Sequence, residues 1–314
     1  MAPSSLSVQD AKQDAPPATY YARLSIAAGV TTLILKFAAY LATGSVGLLS
    51  DAVESIVNLL AALVALWALT VAKLPADEGH AFGHSKAEYF SSGFEGLMIL
   101  GAAVSIAFAA WQRLQDPQPI RQVWLGLSIS VVAAGVNGGV ALVLLRAGKR
   151  LRSITLRADA QHLLTDVWTS AGVLVGVVLV TMTGWLVLDP IVAFLVAVNI
   201  LWTAARLLIE TGHGFLDSAI SKEDRALVDD VLEGYRDRGV MIHALKTRLS
   251  GTRRFVEMHV LVPGVWTVQK GHDLCEEIEA AIAKGLPNVT VLTHLEPFED
   301  PVSWNDHQVD RRDG

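Results

Sequence analysis

Residues 156–170 read LRADAQHLLTDVWTS and continue through AGVLVGVVLVTMTGW to Trp185. His162 and Asp166 stand four positions apart in this otherwise apolar stretch, a spacing that places both on one face of a helix. Ionisable side chains inside a membrane helix are costly and face a bundle interior, a cavity or an ion path. The stretch therefore predicts a membrane-embedded helical bundle with a metal or proton site in its wall.

Working outward, six apolar segments run from Arg23 to Ile209, each able to supply the roughly 20 residues a bilayer crossing takes. The first, IAAGVTTLILKFAAYLATG, contains Lys36, and the second, SVGLLSDAVESIVNLLAALVALWALTV, carries Asp51, Glu54 and Asn58 in its first half. A polar linker, KLPADEGHAFGHSKAE, precedes the third segment, Tyr89 to Trp111, which holds Glu95. The fourth, Trp124 to Leu145, has Asn137 at its middle. The fifth contains the opening stretch, and the sixth is IVAFLVAVNILWTAARLLI, joined to the fifth by a tight connection around Asp189 and Pro190. Lys36, Glu95 and Asn137 read as interhelical hydrogen-bonding residues, and Asp159 as a partner for Arg157 or Arg152.

Composition agrees with this reading. The 314-residue chain is 52% hydrophobic and 18% charged, too apolar for an ordinary soluble protein. Its net charge of -6 comes with no basic stripe, which argues against nucleic acid as a partner. Cys275 is the sole cysteine, so an intrachain disulfide and a C-x-x-C metal site are excluded. Any metal ligands are His, Asp, Glu or Asn. Basic residues concentrate on cytosolic loops; Arg146, Lys149, Arg150 and Arg152 between the fourth and fifth segments predict that this side, and with it both termini, is cytosolic. Arg113 and Arg121 run against the pattern on the other side.

Residues 1–22 are polar and proline-bearing, without the basic start and apolar core of a cleaved signal peptide, and read as a disordered cytosolic lead-in. Residues 23–212 form the predicted six-helix transmembrane domain. Residues 213–297 have the composition of a small soluble domain, with an amphipathic helix in EDRALVDDVLEGYRDR and strands in HALKTRLSG and RRFVEMHVLVP. A second helix in TVQKGHDLCEEIEAAIAKG and a last strand in NVTVLTHLEP complete an αββαβ order, which predicts a small α+β, ferredoxin-like domain. Residues 298–314 read as a flexible tail.

Three constellations carry candidate chemistry. Glu54 and Asn58 repeat the i,i+4 spacing of His162 and Asp166, and two helices presenting two ligands each supply the four that tetrahedral zinc takes. Asp77, His80 and His84 place three ligands in the polar linker. The C-terminal domain holds His243, His259, His272 and His294 on separate elements, with Glu296 two positions after His294 and so on the same strand face. His and carboxylate together suit zinc, iron, manganese, cobalt, nickel or cadmium. No H-E-x-x-H is present, and nothing here suggests an enzyme such as an intramembrane metalloprotease.

SVGLLSDAVESIVN, FGHSKAE and ADAQHLLTD together resemble the second-span, loop and fifth-span signatures of the cation diffusion facilitator family of divalent-metal exporters. The resemblance covers Arg23 to Pro297. It implies a homodimeric cation:proton antiporter, multi-pass in a bacterial plasma membrane. Divalent metal ions, zinc first among them, serve as substrate and regulator, and there is no prosthetic group. It implies a transport site of Glu54, Asn58, His162 and Asp166, a loop metal site of Asp77, His80 and His84, and a regulatory site of His243, His259, His272, His294 and Glu296. Lys86 and Asp217 match a charge pair that holds protomers together. Family members commonly have Asp or His at the position of Glu54 and Asp at that of Asn58, so this chain departs twice. Asn58 replaces an anion with a neutral oxygen, which opens the site to divalent ions other than zinc and motivates the competing reading of a metal-responsive membrane sensor. An imidazole, with its ordinary pKa of about 6.5, lets protons compete with the cation for one site.

Overall fold

The apolar segments fold as six long helices: α1 (Ala18–Thr43), α2 (Val46–Val71), α3 (Ala87–Gln115), α4 (Val123–Leu151), α5 (Ile154–Thr183) and α6 (Leu188–Phe215). The computed structural model describes residues 16–43, 46–116, 123–236 and 238–304; within these, the side chains at 39, 40, 42, 43, 46–54, 57, 123–127, 130, 173, 177 and 181 lie outside the described set. Two units divide the chain, Met1–Gly212 and His213–Gly314.

Long apolar runs occupy Ala18–Ala38, Ala87–Gln115, Val131–Leu151, Ile154–Val180 and Leu188–Phe215, and α2 adds Asn58–Val71 among its described residues. The helix faces are sorted in the sense opposite to a soluble protein. Small residues such as Ala61, Ala65, Ala103, Ala141, Ala158, Ala160 and Ala204 are buried, while Trp67, Phe90, Leu97, Phe108 and Trp202 are exposed. Lipid is as apolar as leucine, so large side chains gain nothing by leaving it, and small ones let backbones approach. Gly96 lies so close to α6 that a Cβ there would stand 2.7 Å from Leu208 Cδ2.

Two connections differ from the expectation. The fourth helix runs on to Leu151, so Arg146, Lys149 and Arg150 form its last turns rather than a loop. Basic side chains there complement the helix dipole. Asp189 and Pro190 lie in the first turn of α6, where an acid and a proline are both favoured. The turn itself starts at Gly184, whose φ of 75° makes it the left-handed cap of α5. Arg113 is paired with Asp189 at 3.2 Å; Arg121 is outside the described residues.

The second unit has the expected order: α7 (Lys222–Arg236), β1 (Met241–Ser250), β2 (Arg253–Val262), α8 (Val268–Gly285) and β3 (Val289–Pro297). The sheet order is β1-β2-β3, with β1 antiparallel and β3 parallel to β2. Val228, Leu232 and Tyr235 on α7, and Leu274, Cys275, Ile278 and Ile282 on α8, recur at helical spacing and close over Val256, Met258, Val260 and Val262. Alternation along β2 then places His259 on the opposite sheet face. The tail is folded as far as a short 3-10 turn, Pro301–Trp304. Phe298 N donates to Val262 O, Gly264 N to Glu299 Oε2 and Trp304 Nε1 to Phe298 O, so these backbone and indole donors order the start of a segment expected to be loose.

Candidate metal centres

Asn58 on α2 and His162 and Asp166 on α5 meet inside the bundle. Asn58 Nδ2 donates to Asp166 Oδ2 at 2.6 Å, and His162 Nε2 lies 2.9 Å from Asn58 Oδ1. A carboxylate accepts only, so the amide must turn its NH2 to Asp166 and its oxygen to the imidazole. Nε2 is then the protonated nitrogen of His162. His162 is buried and Asp166 half-buried. The Glu54 side chain, expected as the fourth member, and that of Asp51 lie outside the described residues.

Asn137 is a participant that spacing alone did not reveal. It sits on α4, buried, and its Nδ2 donates to the same Asp166 oxygen at 2.9 Å. The only sign in the sequence was an amide at mid-depth of an apolar span.

Other buried polar groups brace the bundle. Ser25 Oγ donates to Asp159 Oδ1 at 2.8 Å, while Arg157 makes a fork to Glu210 at 2.5 and 2.9 Å. Asp159 therefore takes a hydroxyl from α1 rather than the expected Arg157, whose guanidinium is bidentate to α6. Ser91 Oγ donates to Glu95 Oε1 at 3.3 Å within α3 itself, so the expected interhelical bond of Glu95 is not among those found. Ser153, which caps α5, donates its hydroxyl to the Glu88 carboxylate, tying the start of α3 to that of α5.

In the linker, Asp77, His80 and His84 come together as expected, their ligand atoms all within 4.8 Å of one another. His80 N and Nδ1 lie 2.6 and 3.1 Å from Asp77 Oδ1, and His84 Nε2 lies 3.3 Å from Oδ2. His84 Nδ1 donates to the Pro75 carbonyl at 3.2 Å, the kind of outer contact that fixes a ligand tautomer with Nε2 toward a metal. Desolvation would raise the Asp77 carboxyl. The His80 side-chain and backbone hydrogen bonds and the charges of His80 and His84 outweigh it and hold Asp77 below its usual value.

The third cluster lies on the sheet face away from the helices. His243 pairs with His259 across β1 and β2, and His259 with His294 across β2 and β3. Glu296 Oε2 is 3.2 Å from both His243 Nε2 and His259 Nδ1, and Oε1 is 3.7 Å from His294 Nε2. One carboxylate oxygen between two imidazole nitrogens can accept an N–H from each, or share a cation with them. A β-bulge follows His243 directly, a device that re-aims a side chain. His294 is the most exposed of these groups, and His272 stands exposed on α8, outside the cluster of His243, His259 and Glu296.

Lys86 precedes α3 in the first unit, and Asp217 lies in the second, 3.5 Å from Arg248 Nη1.

Two family models match. The cation efflux transmembrane domain covers residues 22–216, and the cytoplasmic domain of cation efflux proteins covers 220–298. The chain is 54% identical over 284 residues to an uncharacterised transporter of Synechocystis sp., spanning 90% of this chain and 92% of that one. It is 31% identical over 266 residues to the cation-efflux pump FieF of Serratia proteamaculans, spanning 84% of this chain and 88% of the other. Among solved structures, the metal-bound C-terminal domain of the CzcD transporter from Thermotoga maritima is 26% identical; the match covers 26% of this chain and 99% of that one, with a TM-score of 0.24. With models covering both units and a six-helix membrane bundle joined to an αββαβ domain, the chain belongs to the cation diffusion facilitator, or cation efflux, family of integral-membrane transporters.

Proposed function

We propose that this protein works as a homodimer that exports a divalent transition-metal ion, zinc or a zinc-like ion, from the cytosol in exchange for protons, with both termini cytosolic. The observation that carries the reading is the Asn58–His162–Asp166 constellation between α2 and α5. A cation that takes His162 Nε2 displaces its proton, and the Asp166 carboxylate turns from an amide N–H to the ion. Cation and proton then compete for the same atoms, and alternate exposure of the site to the two sides couples their movements. Glu54 completes the ligand set in this reading. Asn58 adds an oxygen that carries no proton, so fewer protons return per ion than with an acid at that position.

The loop cluster and the sheet-face cluster bind metal on the cytosolic side. His243, His259, His294 and Glu296, joined by His272, regulate by drawing two C-terminal domains together, and the charge pair of Lys86 and Asp217 sets the register of the protomers. A cytoplasmic-domain model matched over 220–298 supports dimerisation through this unit.

The test is zinc flux and internal pH in proteoliposomes carrying His162→Ala or Asp166→Ala. Each is expected to reduce both metal and proton movement by at least about tenfold, the scale of losing one metal-site group. Undiminished transport in both variants would sink the site. Metal binding without any flux in the unmodified protein would favour the sensor reading instead.

A further inference from the structure

Asn137 stands apart from every group the transport reading uses. It lies on α4, neither of the helices that carry the expected ligands, and is 5% exposed. Its Nδ2 donates to Asp166 Oδ2 at 2.9 Å, beside the Asn58 amide that donates to the same oxygen at 2.6 Å. Because that NH2 must face the carboxylate, Oδ1 is turned elsewhere, and it is a buried acceptor with no hydrogen-bond partner. A buried acceptor left unsatisfied is disfavoured and asks for a reason. The backbone register that places Nδ2 on Asp166 keeps Oδ1 within one amide's width of the ligand set, and a half-turn of the side chain exchanges the two atoms.

We propose that Asn137 is a fifth residue of the transport site and one of its specificity determinants. It holds Asp166 through Nδ2 when no cation intervenes and gives the cation a neutral oxygen, Oδ1, after the amide turns. Glu54, Asn58, His162 and Asp166 alone make the four-ligand set that zinc takes. A further amide oxygen raises both the ligand number and the share of oxygen donors, which shifts preference toward manganese(II) or iron(II). Two amides, Asn58 and Asn137, thus face one carboxylate, and each can offer N–H to the anion or C=O to the ion. This rests on the transport-site reading above.

The experiment is proteoliposome flux of Mn2+ and Zn2+ by Asn137→Ala, Asn137→Asp and the parent. All carry Asp77→Ala, His259→Ala and Glu296→Gln so that the other two clusters are silent. Equilibrium Mn2+ binding in detergent is followed by electron paramagnetic resonance. Asn137→Ala is expected to lower the Mn2+ to Zn2+ flux ratio by about tenfold or more, the scale of removing one metal-site group, and Asn137→Asp to restore it by returning an oxygen. A purely structural role would lower both ions together. A ratio within about twofold of the parent in Asn137→Ala, at full or reduced flux, overturns the proposal, since even one outer-shell partner changes affinity by more. If Asn137→Ala does not assemble, Asn137→Leu, which keeps the bulk of the side chain but offers no oxygen, is read by the same ratio with the same expected and overturning values.

Failure of the underlying reading looks different. Asp166→Ala would then retain Mn2+ binding and flux, whereas failure of the Asn137 proposal alone leaves Asp166→Ala inactive and the ratio unmoved. If the parent transports neither ion, the Mn2+ to Zn2+ affinity ratio replaces the flux ratio, with the same expected and overturning values.

Discussion

Asp224→Ala should open the C-terminal unit far more than the loss of its hydrogen bond to Arg254 alone suggests. Asp224 Oδ2 accepts from Arg254 Nε at 2.9 Å, and both side chains are only 3% exposed. The remaining guanidinium contact among those found is Nη1 to the Pro287 carbonyl at 2.7 Å. With charge centres about 4 Å apart and an effective dielectric near 20, the attraction is about 4 kcal/mol. Removing one partner of a buried pair is typically worth about 3–5 kcal/mol, because the other charge stays buried and uncompensated. Taking about 3–4 kcal/mol, at roughly 1.4 kcal/mol per decade, amide exchange through opening of the unit should accelerate about 140- to 700-fold. Hydrogen exchange by mass spectrometry on the full chain reads this in peptides from 222–236 and 253–262, with transmembrane peptides as the internal reference. Asp224→Leu with Arg254→Met removes both charges and should recover most of the protection, as apolar replacements of buried pairs often do. Exchange in Asp224→Ala within about threefold of the parent, under 0.7 kcal/mol on the same scale, would refute the reasoning. So would a double variant as open as the single one, since the cost would then lie in packing rather than in a stranded charge.

Glu296→Gln removes a carboxylate that lies within 3.2 Å of two histidines, and zinc affinity of the sheet-face cluster should fall by about tenfold or more in titration calorimetry; an unchanged isotherm would show that the histidines alone hold the metal. At the linker, the His80 and His84 contacts hold the Asp77 carboxyl below the ordinary aspartate value of 3.8. Its contribution to the loop turn is present above that value and is lost as pH falls through the lower folded one. In histidine-labelled protein the His80 amide resonance should therefore report the Asp77 transition with its midpoint below 3.8; a midpoint at or above 3.8 would mean that the His80 and His84 contacts do not hold in solution.

How far the sequence could be read depended on whether a site is built within elements or between them. The i,i+4 pair on α5 was legible because helical spacing alone puts His162 and Asp166 on one face. The three loop ligands were legible because eight residues of chain hold them together. The sheet cluster was legible in part: strand alternation puts His294 and Glu296 on one face, and the antiparallel register then brings His243 opposite His259. His272 shared the residue type but sits on α8, and no period relates a helix position to the far face of the sheet. Asp159 was given the nearest arginine in sequence, yet the bundle offers it Ser25, 134 residues away, and sends Arg157 to Glu210. Asn137 fails the same way, since its partner is set by the rotation of α4 against α5, and no spacing within either helix encodes that angle.

The two amides at the centre are then better read with their carboxylate than as isolated substitutions. Asn58 taken alone is the loss of an anion, a departure that opens the site to divalent ions other than zinc. Placed beside Asn137 on a single Asp166 oxygen, it becomes half of a pair that compensates the carboxylate with N–H dipoles when no ion is bound. A second acid at position 58 would need a proton or a cation to sit against Asp166 at 2.6 Å. The amide needs neither, so in the proposed transport reading the ion would leave without waiting for a proton at that position. The chemical cost of this arrangement is a weaker hold on the ion, and added oxygen from α4 is a physical means of offsetting it. In the proposed reading, Asn58 would account for reduced proton return and Asn137 for a preference for an oxygen-loving ion, and a flux experiment that found either without the other would separate the roles of the two amides.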